Sequence, residues 1–184
     1  MPSNIYLQLV PAWIRFLNNL SHFLDEGLKF AQEKGITEEE LLTYKLADDM
    51  KGLRYRVQGT CDTIKFSLKR VGLLDEVPVD PDTEVTVQDL KGRIQKVLDL
   101  LNSVDPEAAA GRESEPLIMT TKFAGDLPFD TAQRYISEYA LPWTHFHLTT
   151  AYGIMRNLGV PLGAGDYLKD VFPTLQETLK PAAK

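Results

Sequence analysis

The segment IYLQLVPAWIRFLNNLSHFLDEGLKFAQEK, residues 5–34, decides the fold of this chain. Its apolar side chains recur every three or four residues, which places them on one face of an α-helix. Gly35 follows as a natural stop, so we predict a first long helix from Ile5 to Lys34. Pro11 lies in the opening turns, where a missing N–H is less damaging than further along the helix. The apolar positions are Tyr6, Leu9, Val10, Trp13, Phe16, Leu17, Leu20, Leu24, Leu28 and Ala31.

Three further segments repeat this helical spacing of apolar residues. The second helix is predicted over residues 50–72 and the third over residues 87–104. The fourth is predicted from Asp130, in a sequence typical of a helix cap, to Gly159. A capping box at residues 37–40 predicts a short helical turn before the second helix.

The arrangement of these segments predicts an all-α four-helix bundle that forms one domain over residues 1–184. Between residues 105 and 125 the periodicity is lost, and GRESEP predicts an exposed loop. LIMTTKF, which follows, is compatible with a short extended piece. In such a bundle a ligand is expected to bind between facing helices.

The composition excludes several function classes. The chain has 26 acidic and 20 basic residues, a formal charge of -6, so its surface is not built to neutralise nucleic-acid phosphates. No apolar run reaches the roughly 20 residues that cross a bilayer. Cys61 is the single cysteine, which excludes an internal disulfide, and the first residues lack a secretory signal, so we expect a cytoplasmic protein.

The three histidines are the first candidates for chemistry. His145 and His147 lie about 200° apart on a helix, so at most one faces the interior, and the apolar pattern favours His147. That residue is either a hydrogen-bonded core histidine or a functional one. His22 lies on a polar stripe of the first helix, which indicates either a solvated face or a polar pocket where it acts as acid or base.

Other polar residues have structural explanations beside functional ones. Asp48 precedes the second helix, where a carboxylate commonly caps the helix. Asp62 and Lys65 share a polar stripe with Gln58 that is typical of a surface unless it lines a cavity. Pro142 inside the fourth pattern either kinks that helix or begins a new one. No phosphate loop, dinucleotide fingerprint, GxSxG or HExxH motif is present.

Three segments together resemble the DUF1993 family of uncharacterised proteins, which is related to the DinB-like four-helix bundles. They are VPAWIRFLNNLSHFLDEG at 10–27, KLADDMKGLRYRVQGTCDTIK at 45–65 and ALPWTHFHLTTAYGIMRNLGVPLGAGDYL at 140–168. The last contains the specific string H-x-T-T-A-Y-x-I-x-R-x-x-G-V. The resemblance therefore covers nearly the whole chain.

The resemblance implies an up-down-down-up bundle, often dimeric, with a pocket between the first, second and fourth helices. The wider DinB-like group includes metal-dependent enzymes that use a histidine of the second helix and an H-x-x-x-H pair of the fourth. This chain has no histidine in its second predicted helix and H-x-H in its fourth. By position in the family strings, the residues implied to line the pocket are His22, Asp48, Asp62, His147 and Tyr152.

Three functional hypotheses follow. The first is a small-molecule-binding protein or cofactor-independent acid–base enzyme, of isomerase, cyclase or dehydratase type, in which His147 and His22 exchange protons while Asp48, Asp62 or Tyr152 orients them. The second is a DinB-like transferase or hydrolase with a divalent metal held by His22, His147 and Asp48 or Asp62. The third is a non-catalytic module that forms a homodimer or binds a partner.

Overall fold

The structure, a computed structural model, describes residues 1–121 and 124–171. Its fold is mostly helical, so the predicted all-α class is confirmed. Residues 172–184 of the predicted domain lie outside the described residues. Within the described ranges, none of the helices combines the length and the apolarity needed to span a membrane.

Helix α1 (Asn4–Lys34) agrees with the first predicted helix. The Ser3 side chain caps it by accepting a hydrogen bond from the Tyr6 N–H. Pro11 lies inside the helix without ending it. The helix ends at Gly35, whose φ of 67° lies in the left-handed region that glycine adopts without strain.

Two helices begin with capping boxes, namely α2 (Glu38–Thr43) and α4 (Val87–Ser103). In each, a threonine oxygen accepts a hydrogen bond from the third amide of the helix, and the acidic side chain at that position accepts one from the threonine N–H. The predicted helical turn and third helix are therefore confirmed. The pairs are Thr37 with Glu40 and Thr86 with Asp89.

Helix α3 (Leu53–Arg70) begins later than predicted. Gly52, in extended conformation, precedes it and no side chain caps it. The N–H of Met50 instead bonds to a carbonyl in a preceding turn. The expectation that Asp48 caps this helix is therefore wrong, because Asp48 lies exposed in that turn.

The predicted fourth helix consists of three consecutive parts. They are α5 (Ala132–Tyr135), a π-helical turn (Ile136–Ala140) and α6 (Leu141–Leu158). The cap is Thr131 rather than Asp130, because the threonine oxygen accepts the hydrogen bond from the first turn. The π turn ends two residues before Pro142, which has no N–H to continue a regular α-helical ladder.

A short hairpin precedes α5. Strand β1 (Leu117–Thr121) pairs antiparallel with β2 (Gly125–Phe129). The extended piece predicted at LIMTTKF is thus confirmed as far as its fifth residue, and residues 122–123 lie outside the described residues. The second strand was not predicted, because Gly125 and Pro128 are unfavourable strand residues.

The long helices pack in a ring, in which both α1 and α3 contact α4 and α6. This is the bundle predicted from the four apolar patterns. Its core contains the buried rings of Trp13 and Phe23 and also Cys61, whose thiol pKa burial raises to about 12. The short helix α7 (Ala164–Tyr167) packs against α1.

Buried ion pairs hold the connection between α3 and α4, residues 71–86, against the bundle. The Lys65 ammonium lies 2.5 Å from Asp80, and the Arg93 guanidinium lies 2.9 Å from Glu84. Both cationic side chains are only 1% exposed. We call the whole set the loop ion cluster; its members are Asp62, Lys65, Asp80, Asp82, Glu84 and Arg93.

The stripe of Gln58, Asp62 and Lys65 is therefore not an ordinary surface. Gln58 and Lys65 are buried beneath the connection, and Gln58 donates a hydrogen bond to Glu84. Asp62 is partly exposed and lies between Lys65 and Arg93. The stripe instead forms one wall of a cleft.

Candidate functional site

A cleft of about 290 Å³ lies along α3 where it faces α6. Helix α3 supplies one side, the π turn and α6 supply the other, and the loop ion cluster contributes two carboxylates. Helix α1 contributes no lining residue, unlike the pocket that the family resemblance implies. The lining residues are Tyr55, Gln58, Gly59, Asp62, Thr63, Phe66, Arg70, Asp82, Tyr139, Trp143 and His147.

His147 is the most unusual polar residue of this α3–α6 cleft. It is 2% exposed, and its Nδ1 atom has no hydrogen-bond partner among the described residues. Burial, together with the positive charge of Arg56, lowers the pKa of His147 to about 4. The imidazole is therefore neutral near pH 7 and keeps unused hydrogen-bonding capacity at Nδ1. The prediction that His147 faces inward and His145 outward is confirmed.

Aromatic rings surround this imidazole on three sides. Trp143 lies perpendicular to it at 5.1 Å between ring centroids, Phe146 at 5.4 Å and Tyr55 at 5.9 Å. The Trp143 ring also continues a nearly parallel stack that runs through Tyr139 to Tyr135. A wall of this kind offers flat apolar faces to a planar ligand.

Gly59 provides the space for the His147 ring. A Cβ atom at Gly59 would lie 2.5 Å from the imidazole Cε1 and 2.7 Å from Nδ1, closer than side chains pack. The ring therefore rests directly on the backbone of α3. This contact fixes the position of the imidazole in the cleft.

We expect Gly59→Ala to displace His147 and to be about 1–3 kcal/mol less stable than the matched variant Gly92→Ala. Both glycines lie inside helices, so each alanine gains a similar helix propensity. Gly92 has no atom within 4 Å of the added methyl group, which makes it the control. Urea unfolding of both variants measures the difference, and equal stabilisation by the two alanines would contradict the contact.

The other predicted site residues lie in two places. Asp62 shares the α3–α6 cleft with His147. Tyr152 lines a different surface cleft of about 430 Å³ together with Tyr167. Asp48 lies exposed in the turn before α3, where its backbone carbonyl accepts a hydrogen bond from Lys45.

His22 belongs to the side of the bundle where α7 packs on α1. Its Nε2 lies 2.9 Å from Asp166, and its Nδ1 lies 3.4 Å from the Lys169 ammonium, so both ring nitrogens have partners. The hydrogen bond from His22 lowers the pKa of Asp166. The structure therefore does not bring His22 together with His147, and no proton exchange between them follows from the geometry.

The comparison with family models identifies the relationship. Residues 5–168 match the model described as "Domain of unknown function (DUF1993)". The chain belongs to the DUF1993 family. No curated protein matches this DUF1993 chain.

A solved structure to which this chain is similar matches over most of both chains. It is a crystal structure of a DinB family member protein from Shewanella denitrificans, at 32% sequence identity and a TM-score of 0.79. The match covers 89% of the DUF1993 chain and 91% of the Shewanella chain. The DinB-like four-helix bundle predicted from the sequence is therefore confirmed.

The donor groups of this DUF1993 protein do not fit the metal centre that the DinB resemblance implies. His22, Asp48 and His147 are held by different parts of the fold, as their separate contacts show. The carboxylates beside His147 already pair with the Arg93 guanidinium. In the described ranges, no three His, Cys, Asp or Glu side chains are grouped so as to hold a metal ion. A divalent cofactor stays a prediction from the resemblance.

Sequence reasoning missed several residues of the cleft. Gly59 carries no chemistry itself, and its role depends on a contact with another helix. Asp82 lies in a proline-containing connection whose folding over α3 has no periodic signal. The four-residue spacing of Tyr135, Tyr139 and Trp143 was visible in the sequence and could have indicated an aromatic stack.

Proposed function

We propose that this DUF1993 protein binds a small planar organic molecule in the α3–α6 cleft. The observation that carries the proposal is the buried His147, whose Nδ1 lacks a partner beside a wall of aromatic rings. Six buried side-chain atoms of the described residues lack a hydrogen bond, and of their residues only His147 lines this cleft, where a ligand would supply the partner. The flat faces of the aromatic rings would make apolar contacts with the ligand, and a hydrogen bond to the His147 imidazole would orient it.

The protonation state of His147 favours binding over strong base catalysis. With a pKa of about 4, the imidazole is neutral near pH 7, so it forms hydrogen bonds without a charge. The low pKa also makes it a weaker base than an ordinary histidine. An isomerase, cyclase or dehydratase activity would therefore depend on a ligand with an unusually acidic proton, with His147 as acceptor and Asp62 as the nearby carboxylate.

Nuclear magnetic resonance of the two tryptophan indole N–H groups tests the proposal. Trp143 lines the cleft and is 38% exposed, whereas Trp13 is fully buried in the core. Addition of benzamide or phenol is expected to shift the Trp143 signal and leave the Trp13 signal in place. The His147→Gln variant should weaken this binding about tenfold, because a directed hydrogen bond is lost.

His145→Gln is the matched control, since His145 lies on the opposite side of the same helix and contacts Phe16 and Tyr167. It should bind both compounds as the unmodified chain does. Equal weakening by the two variants, or no shift of Trp143 with either compound, would count against a site at His147.

A further inference from the structure

We infer that the ligand of the α3–α6 cleft is an organic cation that carries several N–H donors beside a planar ring, such as an aryl amidine or an aryl guanidine. This inference rests on the proposed function, because it names the chemistry of the molecule that the same cleft would hold. Three features of the cleft support it: the hydrogen-bonding groups at its centre, the charge balance of the loop ion cluster, and the aromatic wall.

The polar groups at the centre of the cleft accept hydrogen bonds. The Thr63 hydroxyl donates its proton to the Gly59 carbonyl at 2.7 Å, so the oxygen is left only as an acceptor. Asp62 and Asp82 are carboxylates, which accept and do not donate. The Gln58 amide donates to Glu84 at 2.9 Å. A ligand that lies beside Thr63, Asp62 and Asp82 therefore meets acceptors there, which favours a ligand with N–H donors.

The loop ion cluster carries more negative than positive charge. Its four carboxylates share two buried cations, with one further ammonium, that of Lys96, reaching Asp80 at 3.6 Å from the surface. Of the two carboxylates that line the cleft, Asp82 has its negative charge less fully balanced by neighbouring cations. Its side chain is 62% exposed, and the Arg93 Nη1 that it approaches at 3.0 Å also bonds to Glu84 at 2.9 Å. A cation at the mouth of the cleft would restore the balance.

The aromatic residues of this region already contact cations. Arg56 lies over the rings of Tyr55 and Phe146, at 5.6 and 5.2 Å from their centroids, and Lys65 lies 5.1 Å from that of Phe66. Such contacts are attractive because the face of an aromatic ring is electron-rich. Tyr139 and Trp143 offer the same kind of surface opposite the carboxylates.

Two arginines would attract an anion. Arg56 lies beside Tyr55 and Phe146, where its charge contributes to the lowered pKa of His147. Arg70 lines the cleft and lies two helical turns beyond Asp62 on α3, or roughly 12 Å along the axis. Its guanidinium donates a hydrogen bond to the Tyr135 hydroxyl and lies over the rings of Phe66 and Tyr135. Its charge is therefore already in contact with these aromatic residues. An anionic ligand at Arg70 is the competing interpretation.

Three probes of nearly the same shape distinguish these interpretations. Benzamidine is cationic with several N–H donors, benzamide is its neutral counterpart, and benzoate is its anionic counterpart. Each is titrated into the protein to about 10 mM while the Trp143 and Trp13 indole signals are recorded. We expect benzamidine to bind at least about fivefold more tightly than benzamide, which is typical of one partly exposed charge-assisted contact, and benzoate to bind most weakly.

Asp82→Asn should remove most of the difference in affinity between benzamidine and benzamide, by weakening benzamidine binding and leaving benzamide binding unchanged. Asp99→Asn, which removes an exposed carboxylate on α4 that pairs with Gln95, is the control and should keep the difference. Equal binding of benzamidine and benzamide, or tighter binding of benzoate, overturns the inference and leaves the proposed function intact. Absence of a Trp143 shift with all three probes contradicts both.

Discussion

Arg93→Met is expected to lower the free energy of unfolding by about 3–5 kcal/mol, because it leaves carboxylates of the loop ion cluster without their buried cation. Burial by itself would lower the pKa of the guanidinium, but the hydrogen bonds to Glu84 and Asp62 raise it above its usual value. The side chain is 1% exposed and bridges α3, α4 and the connection between them. Guanidinium chloride unfolding followed by circular dichroism measures the loss.

Arg134→Met is the matched control for this result. Arg134 makes a bidentate contact with Glu138, but both side chains are about half exposed, so its loss should lower stability far less than the loss of Arg93. Similar losses in the two variants would show that the loop ion cluster behaves as a surface network. Arg93→Lys, which keeps the charge, should recover part of the difference.

The pH dependence of stability is expected to report on His147. Its pKa of about 4 in the folded protein lies below the ordinary value of 6.5. Between these two pH values the imidazole is mostly protonated in the unfolded chain and mostly neutral in the folded chain. Protonation therefore favours unfolding as the pH falls towards 4, and both states are protonated below that. Between about pH 7 and pH 4.5 the expected loss from this residue is roughly 2–3 kcal/mol.

His147→Gln isolates this contribution, since glutamine does not titrate. Unfolding curves at several pH values should show a steeper loss of stability for the unmodified chain than for the variant between about pH 6.5 and pH 4. The carboxylates with lowered pKa values, such as Asp80 and Asp166, affect both proteins equally. Parallel pH profiles would mean that the imidazole is more solvated than its position indicates.

The sequence predicted the helices well because their signals are local. Apolar spacing and capping residues lie within a few positions of the elements that they specify, as Thr37 and Thr86 illustrate. The start of α3 was misplaced, since Met50 continues the apolar pattern while Gly52 interrupts the helical backbone. The π turn was also missed, because Pro142 indicates an irregularity without specifying its type.

The site was less predictable because its position depends on which helix packs against each face of α6. His147 and His145 were correctly assigned to inner and outer faces, but α6 packs against both α1 and α3. His147 therefore contacts α3, while the other face of α6 approaches the region of His22 through Tyr167. Trp143 is 38% exposed because it borders the cleft.

The π-helical turn allows Tyr135 and His147 to contact the same helix, α3. Tyr135 and His147 are twelve positions apart, which in an uninterrupted α-helix would set them about 120° from each other around the axis. The surplus residue of a π turn reduces this offset to about 20°. Tyr135 consequently reaches Ser67 on α3, and His147 rests on Gly59 of the same helix. Loss of one residue from Ile136–Ala140 would give a regular helix in which the two positions lie eleven apart and still about 20° from each other, so the π turn lets this segment hold an extra residue without moving either side chain away from α3.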